Sequence, residues 1–332
     1  MRHVARLAMI ALAVLVTVPA YAQLNGSNML GDTGVGTGTQ PAPGWYVAGL
    51  YYRYSSDTII KADGSRLTLD PNQPGRVTFH AIVPMLVFVS HAKILGANYG
   101  IMFAPSFGNG SLEAPVLGLQ QQVTWGAGDL YFLPITLGWH TTHADFNTAF
   151  GFFASTGRYR AGADDNIGKG MWSYELSAGT TVFLDSKRSL SVATSAYWEA
   201  HSKKRGTDVT IVIPGGEINL TGVRVGQILT LEGGLGKSYL QGTLSVGVAY
   251  YAQWKLTQDD FGILLPLPIS SLLAKHRVYA VGPDVTVPIA ARKRLISLVN
   301  IRYLWETGAR VKTQGSSLII TATFPVPSPK LQ

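Results

Sequence analysis

The chain has 332 residues and a formal net charge of +8, and only 14% of its residues are charged although 46% are hydrophobic. Soluble domains contain about 25% charged residues, so this composition favours a protein with much of its surface in contact with lipid. The lack of cysteine in the sequence excludes a disulfide framework, a zinc–thiolate site and a cysteine nucleophile. The basic residues are dispersed rather than clustered, which argues against a nucleic-acid partner.

Residues 1–22 have the pattern of a secretory signal peptide. Arg2 and Arg6 precede an apolar run, and a small-residue cleavage motif ends at Ala22. We therefore expect the mature chain to begin at Gln23. Residues 23–43 are rich in glycine and predict a flexible periplasmic segment, with the option that this segment enters the lumen of the domain that follows.

Residues 44–324 contain about twelve stretches, each of roughly ten residues, in which hydrophobic residues alternate with small or polar ones. This period and length fit strands tilted across a bilayer, and the connections alternate between short and long, as periplasmic turns and extracellular loops do. The sequence therefore predicts a transmembrane antiparallel up-and-down β-barrel with both termini in the periplasm, followed by a tail at residues 325–332. The predicted strands are 45–54, 77–89, 97–107, 130–140, 146–155, 172–183, 190–201, 217–234, 240–254, 278–287, 295–305 and 318–324.

The same alternation predicts which side chains face the lumen. About twelve strands enclose a narrow pore, and we expect both signs of charge to line it. Two explanations remain open for these charges: ion pairs that hold the wall together, or a pathway for a solute. The predicted lumen-lining residues are Arg53, His80, Glu175, Glu199, Glu232, Asp284 and Arg302.

Two predicted outer loops have unusual sequences. Residues 162–168 resemble part of a Ca²⁺ loop but lack the downstream glutamate, so we expect an Asp-rich turn and neither a metal nor a cofactor. Residues 261–269 form an apolar, proline-punctuated run. This run could capture a hydrophobic solute, or it could only pack on neighbouring loops or lipid. The candidate capture residues are Phe261, Ile263, Leu264, Leu265 and Leu267.

Six motifs lie along the mature chain, at 41–46, 95–100, 126–130, 156–159, 166–175 and 281–284. Together they are similar to those of the phenol meta-pathway degradation-like family of outer-membrane transporters, and this resemblance covers nearly the whole mature chain. The motif at 166–175 is the most specific. The resemblance implies a channel for uptake of small hydrophobic or aromatic compounds, located in the outer membrane of a Gram-negative bacterium, and not an enzyme. It brings no agreed set of substrate residues.

Two alternatives stay open, namely a structural or adhesion-type barrel and a barrel enzyme that acts on lipids. The enzyme would need an oriented Ser–His pair, but His140, His143 and His201 lie in no recognisable signature. The expected partners are outer-membrane lipids, lipopolysaccharide, the barrel assembly machinery and a small hydrophobic solute. Basic residues of the predicted outer loops, such as Lys275 and Arg310, would meet lipopolysaccharide phosphates or an anionic solute, or would only form a solvated surface. Barrels of this kind usually end on an aromatic residue, so either Phe324 acts as an internal assembly signal or the argument from assembly is weaker.

Overall fold

A computed structural model describes residues 24–67, 75–114, 119–213, 216–240, 243–260, 275–291 and 294–326. Within these ranges the chain is built from β-strands, and no helix is long and apolar enough to cross a membrane. The strands are β1 (Gly44–Ser56), β2 (Ile59–Ile60), β3 (Arg76–Ile94), β4 (Ala97–Ala104), β5 (Phe107–Ala114), β6 (Leu119–Ala127), β7 (Leu130–His140), β8 (Ala144–Ala154), β9 (Ser173–Phe183), β10 (Leu190–His201), β11 (Asp208–Ile213), β12 (Gly216–Thr221), β13 (Ile228–Tyr239), β14 (Leu244–Lys255), β15 (Arg277–Ala291), β16 (Arg294–Arg310), β17 (Lys312–Thr313) and β18 (Ser316–Val326).

Twelve of these strands form a closed antiparallel ring in the order β1, β18, β16, β15, β14, β13, β10, β9, β8, β7, β4 and β3. The ring closes because β1 pairs with β18 on one side and with β3 on the other, so that no strand in the ring keeps an unpaired edge. The predicted twelve-stranded barrel is confirmed.

Period-two alternation separates the inner face of the wall from the outer face. On β1, Leu50 and Tyr52 are buried, whereas Trp45 and Val47 are exposed. On β16, Arg302 is 4% exposed while its neighbour Ile301 is 45% exposed. The exposed faces carry the large apolar side chains that a lipid-facing surface requires, and the inner faces carry a mixture of polar and small apolar side chains.

The structure corrects two predicted segments. Residues 108–129, expected as a loop, are mostly the hairpin of β5 and β6. β5 pairs with residues 76–82 of β3. The strand predicted over 217–234 is also wrong, because β13 begins at Ile228 and residues 216–221 form a separate hairpin with β11. Gly222, with a φ of 81°, ends that hairpin in a conformation that strand residues do not adopt.

The two ends of the barrel differ in their connections. Short turns join β3 to β4 (residues 95–96), β7 to β8 (141–143) and β9 to β10 (184–189), and we call this the turn end. The longer connections after β8, β10 and β14 lie at the opposite end, which we call the loop end. This alternation is the one expected from the sequence.

Candidate functional site in the barrel lumen

Residues 24–40 lie inside the barrel and make hydrogen bonds to side chains of its inner wall. The backbone N–H of Ser27 donates to Oε2 of Glu199 at 2.7 Å, and the N–H of Gly31 donates to Oε1 of Glu232 at 2.7 Å. The Val35 N–H donates to Oδ2 of Asp284 at 3.1 Å. These acceptors are on three different strands, so the segment is held along its length by the wall rather than by pairing as an additional strand.

The segment runs through the lumen from one end of the barrel to the other. Near the loop end, the ammonium of Lys255 donates to the carbonyl oxygen of Leu24 at 2.8 Å. Near the turn end, Nε2 of Gln40 donates to Oγ1 of Thr136 at 2.9 Å. Val326 also lies at the turn end, where it pairs with Trp45. The barrel wall therefore begins and ends at the turn end, whereas Leu24, the first described residue, lies near the loop end. The periplasmic location of the two termini stays a prediction.

Glycine makes this close approach possible at two positions. A Cβ atom on Gly34 would lie 2.2 Å from Oδ2 of Asp284 and 2.4 Å from Nη2 of Arg302. A Cβ atom on Gly38 would lie 2.1 Å from the backbone carbon of Thr180. The glycine-rich sequence, interpreted from composition as a flexible linker, thus lets the backbone lie against the wall.

Arg302 and Asp284 form a buried ion pair that also binds the segment. Nε and Nη2 of Arg302 lie 3.0 and 2.9 Å from Oδ2 of Asp284, and the two residues are 4% and 1% exposed. Nη1 of Arg302 donates to the carbonyl oxygen of Gly31 at 2.6 Å. A buried pair of this kind is stable only when its remaining donors and acceptors are satisfied. Here the segment binds Arg302 and Oδ2 of Asp284, and Nδ2 of Asn300 on the wall donates to Oδ1 of Asp284.

Glu175 and Glu199 are register partners on β9 and β10, and both are buried. The hydroxyl of Tyr131 donates to Oε1 of Glu175, whereas Oε2 of Glu175 and Oε1 of Glu199 have no hydrogen-bond partner in the structure. Nε2 of His201 lies 3.6 Å from Oε2 of Glu199. This group is the most polar part of the inner wall.

The same group does not have the geometry of a catalytic triad. Ser173 pairs with His201 in the register of β9 and β10, but Oγ of Ser173 is hydrogen-bonded to Oγ of Ser27 at 2.7 Å. Neither ring nitrogen of His201 makes a hydrogen bond. A catalytic serine and its histidine base would need a hydrogen bond between them.

A second buried carboxylate group lies at the turn end and was missed in the sequence, where Asp145 was assigned to a turn. Nη2 of Arg188 lies 2.7 Å from both carboxylate oxygens of Asp145, and Nδ1 of His140 lies 3.3 Å from Oδ1. Oγ1 of Thr39 donates to Oδ2 at 3.0 Å. Local alternation gives no signal for this group, because its members come from two strands, one turn and the segment.

Another part of the inner wall is apolar. A cluster of buried side chains from several strands contacts Met29 and Leu30 of the segment, and Val83 and Met85 also pack against it. The hydroxyl of Tyr251, a member of the cluster, donates to Oε1 of the buried Glu306 at 2.7 Å. The cluster consists of Leu50, Tyr52, Ile60, Ala81, Ala249, Tyr251, Val278, Ala280, Leu304, Ala309 and Ile319.

Two of the predicted lumen residues lie on the outer face instead. Arg53 is exposed and shares its parity with Trp45 and Val47 on β1. His80 pairs with Arg53 across β1 and β3, and cross-strand partners point to the same face. A charged side chain at the end of a strand can reach the headgroup region of a membrane, so its charge alone does not place it inside. The other five predicted residues, Glu175, Glu199, Glu232, Asp284 and Arg302, are buried inside the barrel.

The predicted outer loops have different outcomes. In the Asp-rich turn, Oδ1 of Asp165 accepts hydrogen bonds from Nη2 of Arg158 and from the N–H of Thr124. Among the residues that the structure describes, no group of three or more His, Asp or Glu side chains is arranged to hold a metal ion. The candidate capture residues at 261–269 lie outside the described residues.

Lys204, in the connection between β10 and β11, is a buried lysine at the loop end. Its ammonium nitrogen donates to the carbonyl oxygen of Lys169 at 2.6 Å and lies 5.4 Å from the ring centroid of Tyr159. Burial, together with the charge of Lys169, lowers the pKa of Lys204 to about 7. This side chain is therefore partly neutral near neutral pH.

The family comparison agrees with this architecture. Residues 56–322 match the family described as "Putative MetA-pathway of phenol degradation". The chain belongs to this family. Membership in this phenol-degradation family confirms the resemblance inferred from the six motifs. The comparison with curated proteins finds no match.

Two solved structures show that this member of the phenol-degradation family has an outer-membrane barrel fold. The COG4313 outer membrane channel from Pseudomonas putida F1 is similar with a TM-score of 0.67 and 13% identity, over 89% of this chain and 100% of that chain. The β domain of the Bordetella autotransporter BrkA is similar with a TM-score of 0.51 and 13% identity, over 86% of this chain and 100% of that chain. At such identity the likeness establishes the fold alone.

Proposed function

We propose that this protein is a channel for uptake of small hydrophobic or aromatic compounds in the outer membrane of a Gram-negative bacterium, and that residues 24–40 close it. The observation that carries the proposal is the apolar cluster on the inner wall, which Met29 and Leu30 cover. The family is described by phenol degradation, and the channel from Pseudomonas putida F1 has the same fold. Both support transport rather than catalysis or adhesion.

An apolar inner surface suits this class of solute. Displacing Met29 and Leu30 would expose the cluster to water, which is unfavourable by about 25 cal/mol for each Å² of apolar surface. A small aromatic compound that enters the lumen can cover that surface in their place. The exchange replaces one apolar contact with another, so the free-energy difference between the closed and the solute-bound lumen is small.

The attachment of the segment is also suited to release. Its hydrogen bonds to the wall go mainly to side chains such as Glu199, Glu232 and Asp284. The backbone hydrogen bonds that close the barrel join the strands to one another and do not involve the segment. Each such bond contributes only about 0.5–3 kcal/mol net, the upper end applying to charged acceptors. The segment can therefore leave the wall without opening the ring of strands.

Two engineered disulfides test whether the segment must move. Oγ of Ser27 lies 2.7 Å from Oγ of Ser173, and Oγ1 of Thr37 lies 3.0 Å from Oγ of Ser195. Sulfur atoms at these positions are close enough for an S–S bond of about 2.05 Å after small rotations. The chain has no cysteine of its own to interfere. The variants are Ser27→Cys with Ser173→Cys, and Thr37→Cys with Ser195→Cys.

The measurement is uptake of labelled phenol at low concentration by cells with matched surface expression. We expect oxidised double variants to lose most of the protein-dependent uptake and to recover it on reduction, and single-cysteine variants to match the parent protein. Full uptake in the oxidised variants would show that the segment does not close the channel. Equal uptake by cells with and without the parent protein would contradict the transport function itself.

A further inference from the structure

A basic cavity lies on the outer face of the barrel at the loop end. It has a volume of about 270 Å³ and is lined by Ala62, Lys275, Arg277, Arg310 and Val311. Three of these five residues carry a positive charge. The cavity lies outside the lumen and takes no part in the contacts of residues 24–40.

The three cations of this cavity form no close ion pair among the described residues. Arg277 and Arg310 are directly opposite each other in the register of β15 and β16, where like charges are destabilising. The ammonium of Lys275 donates to the carbonyl oxygen of Leu256 at 2.8 Å, and Nη1 of Arg310 donates to that of Ala309 at 2.9 Å. Among the described residues, none of the three cations has a carboxylate oxygen within 4.0 Å.

The sequence around the cavity supplies little negative charge. The preceding residues 261–274 contain neither Asp nor Glu. Asp63, in the loop beside Ala62, is 4.0 Å from the ammonium of Lys61, and the charges of Lys61 and Arg310 both help to lower its pKa. One exposed carboxylate shared among these cations leaves an excess of positive charge at the cavity, which costs free energy unless an anion from outside the chain binds there.

The position of the cavity identifies the kind of anion. Arg277 follows the outer face of β15 directly beyond Tyr279, whose hydroxyl accepts a hydrogen bond from Nε1 of Trp254 at 3.3 Å. Further along the same face, Val281 pairs with Trp305, and these two side chains are 48% and 54% exposed. Aromatic residues of this kind mark the boundary of the hydrocarbon layer, and cations just beyond them lie at the level of lipid headgroups.

We propose that Lys275, Arg277 and Arg310 bind a phosphate group on the headgroup of lipopolysaccharide. The guanidinium groups can each donate two hydrogen bonds to phosphate oxygens, and Lys275 adds a third charge. An acyl chain of the same lipid lies against Val281 and Trp305. This site does not depend on the transport function, and it requires only that the loop end faces the outer leaflet.

The test compares lipid binding by folded, detergent-solubilised variants in native mass spectrometry. The site variant combines Arg277→Gln with Arg310→Gln, and the matched control is Lys187→Gln, an exposed cation in the turn between β9 and β10. The probes are bisphosphorylated lipid A, dephosphorylated lipid A and inorganic phosphate. Heat-modifiable electrophoretic migration verifies that each variant is folded.

We expect the site variant to bind bisphosphorylated lipid A at least about tenfold more weakly than the parent protein, and Lys187→Gln to bind it normally. Dephosphorylated lipid A should bind the parent protein as weakly as it binds the site variant. Equal affinities of the site variant and the parent protein would overturn the proposal. Displacement of the lipid by inorganic phosphate would also overturn it, because the cavity would then be a site for free anions.

Discussion

Two parts of the inner wall hold residues 24–40 in different ways. The acidic wall consists of Glu175, Glu199 and Glu232 on β9, β10 and β13, and of these Glu199 and Glu232 accept hydrogen bonds from the segment. The apolar wall, formed mainly by β1, β14, β15 and β16, contacts the side chains of Met29 and Leu30. Both walls are buried, so the difference lies in what each requires from its partner.

The buried carboxylates of the acidic wall need hydrogen-bond donors, whereas the apolar wall needs only another apolar surface to exclude water from it. A buried carboxylate without hydrogen bonds is costly, and so is a buried N–H group without an acceptor. The N–H groups of the segment therefore supply donors to Glu199 and Glu232, and these two carboxylates supply acceptors in return. The apolar wall can be covered equally well by a side chain or by a solute. This difference suggests that the acidic wall fixes where the segment lies and that the apolar wall sets which molecules can replace it.

The largest effect should come from breaking the buried ion pair of Asp284 and Arg302, which lie on the neighbouring strands β15 and β16. Arg302→Leu leaves Asp284 unpaired and should lower the free energy of unfolding by about 3–5 kcal/mol, measured by urea unfolding in lipid vesicles. Arg53→Leu is the matched control, because Arg53 is exposed on the outer face, and it should change stability by less than about 0.5 kcal/mol. Similar values for the two variants would mean that the Arg302 pair is solvated.

A smaller effect is expected from removing one acceptor of the acidic wall. Glu232→Leu deprives the N–H groups of Gly31 and Thr33, and the hydroxyl of Thr33, of their acceptor. Unsatisfied donors of this kind cost about 1–3 kcal/mol each, although the segment can relax towards water. Hydrogen exchange at Gly31 and Thr33 should become faster while exchange in the barrel strands stays the same. Unchanged exchange at these two amides would show that the acidic wall does not hold the segment.

Truncating the contacts with the apolar wall should have a still smaller effect on stability. Met29 and Leu30 are only partly buried, so replacing both by alanine should cost roughly 1–2 kcal/mol. If the apolar wall receives the solute, phenol uptake in this double variant should rise, because less apolar surface competes for the wall. Uptake equal to or below that of the parent protein, at matched surface expression, would contradict that role.

A change in the pH dependence of stability is expected for Lys204, which lies outside both walls. Its pKa is lowered to about 7 when folded, compared with 10.5 for an ordinary lysine. Between these values the unfolded chain holds a proton that the folded chain has lost, so raising the pH in this window stabilises the fold. The stability gained between about pH 7 and about pH 10 should be smaller in Lys204→Met than in the parent protein. Equal gains would show that Lys204 keeps its charge when folded.

The sequence by itself determined the barrel, the number of its strands and the face of most of its side chains. Strand alternation is a local property, since successive side chains must point to opposite sides of a sheet. A lipid-facing surface must also be apolar. For that reason the inward positions of Glu199 and Arg302 could be inferred from their neighbours on the same strand.

Only the tertiary structure decided where residues 24–40 lie, and how Asp145, Arg188 and Thr39 meet at the turn end. These contacts join residues more than forty positions apart, and no local period records them. The alternation was interpreted as placing Arg53 in the lumen, whereas Arg53 is exposed and its parity with Trp45 places it on the outer face. The glycines at 34 and 38 were interpreted as a flexible linker, since glycine permits both a mobile chain and close contact with a wall. The arrangement of the surrounding strands produces the close contact with the wall.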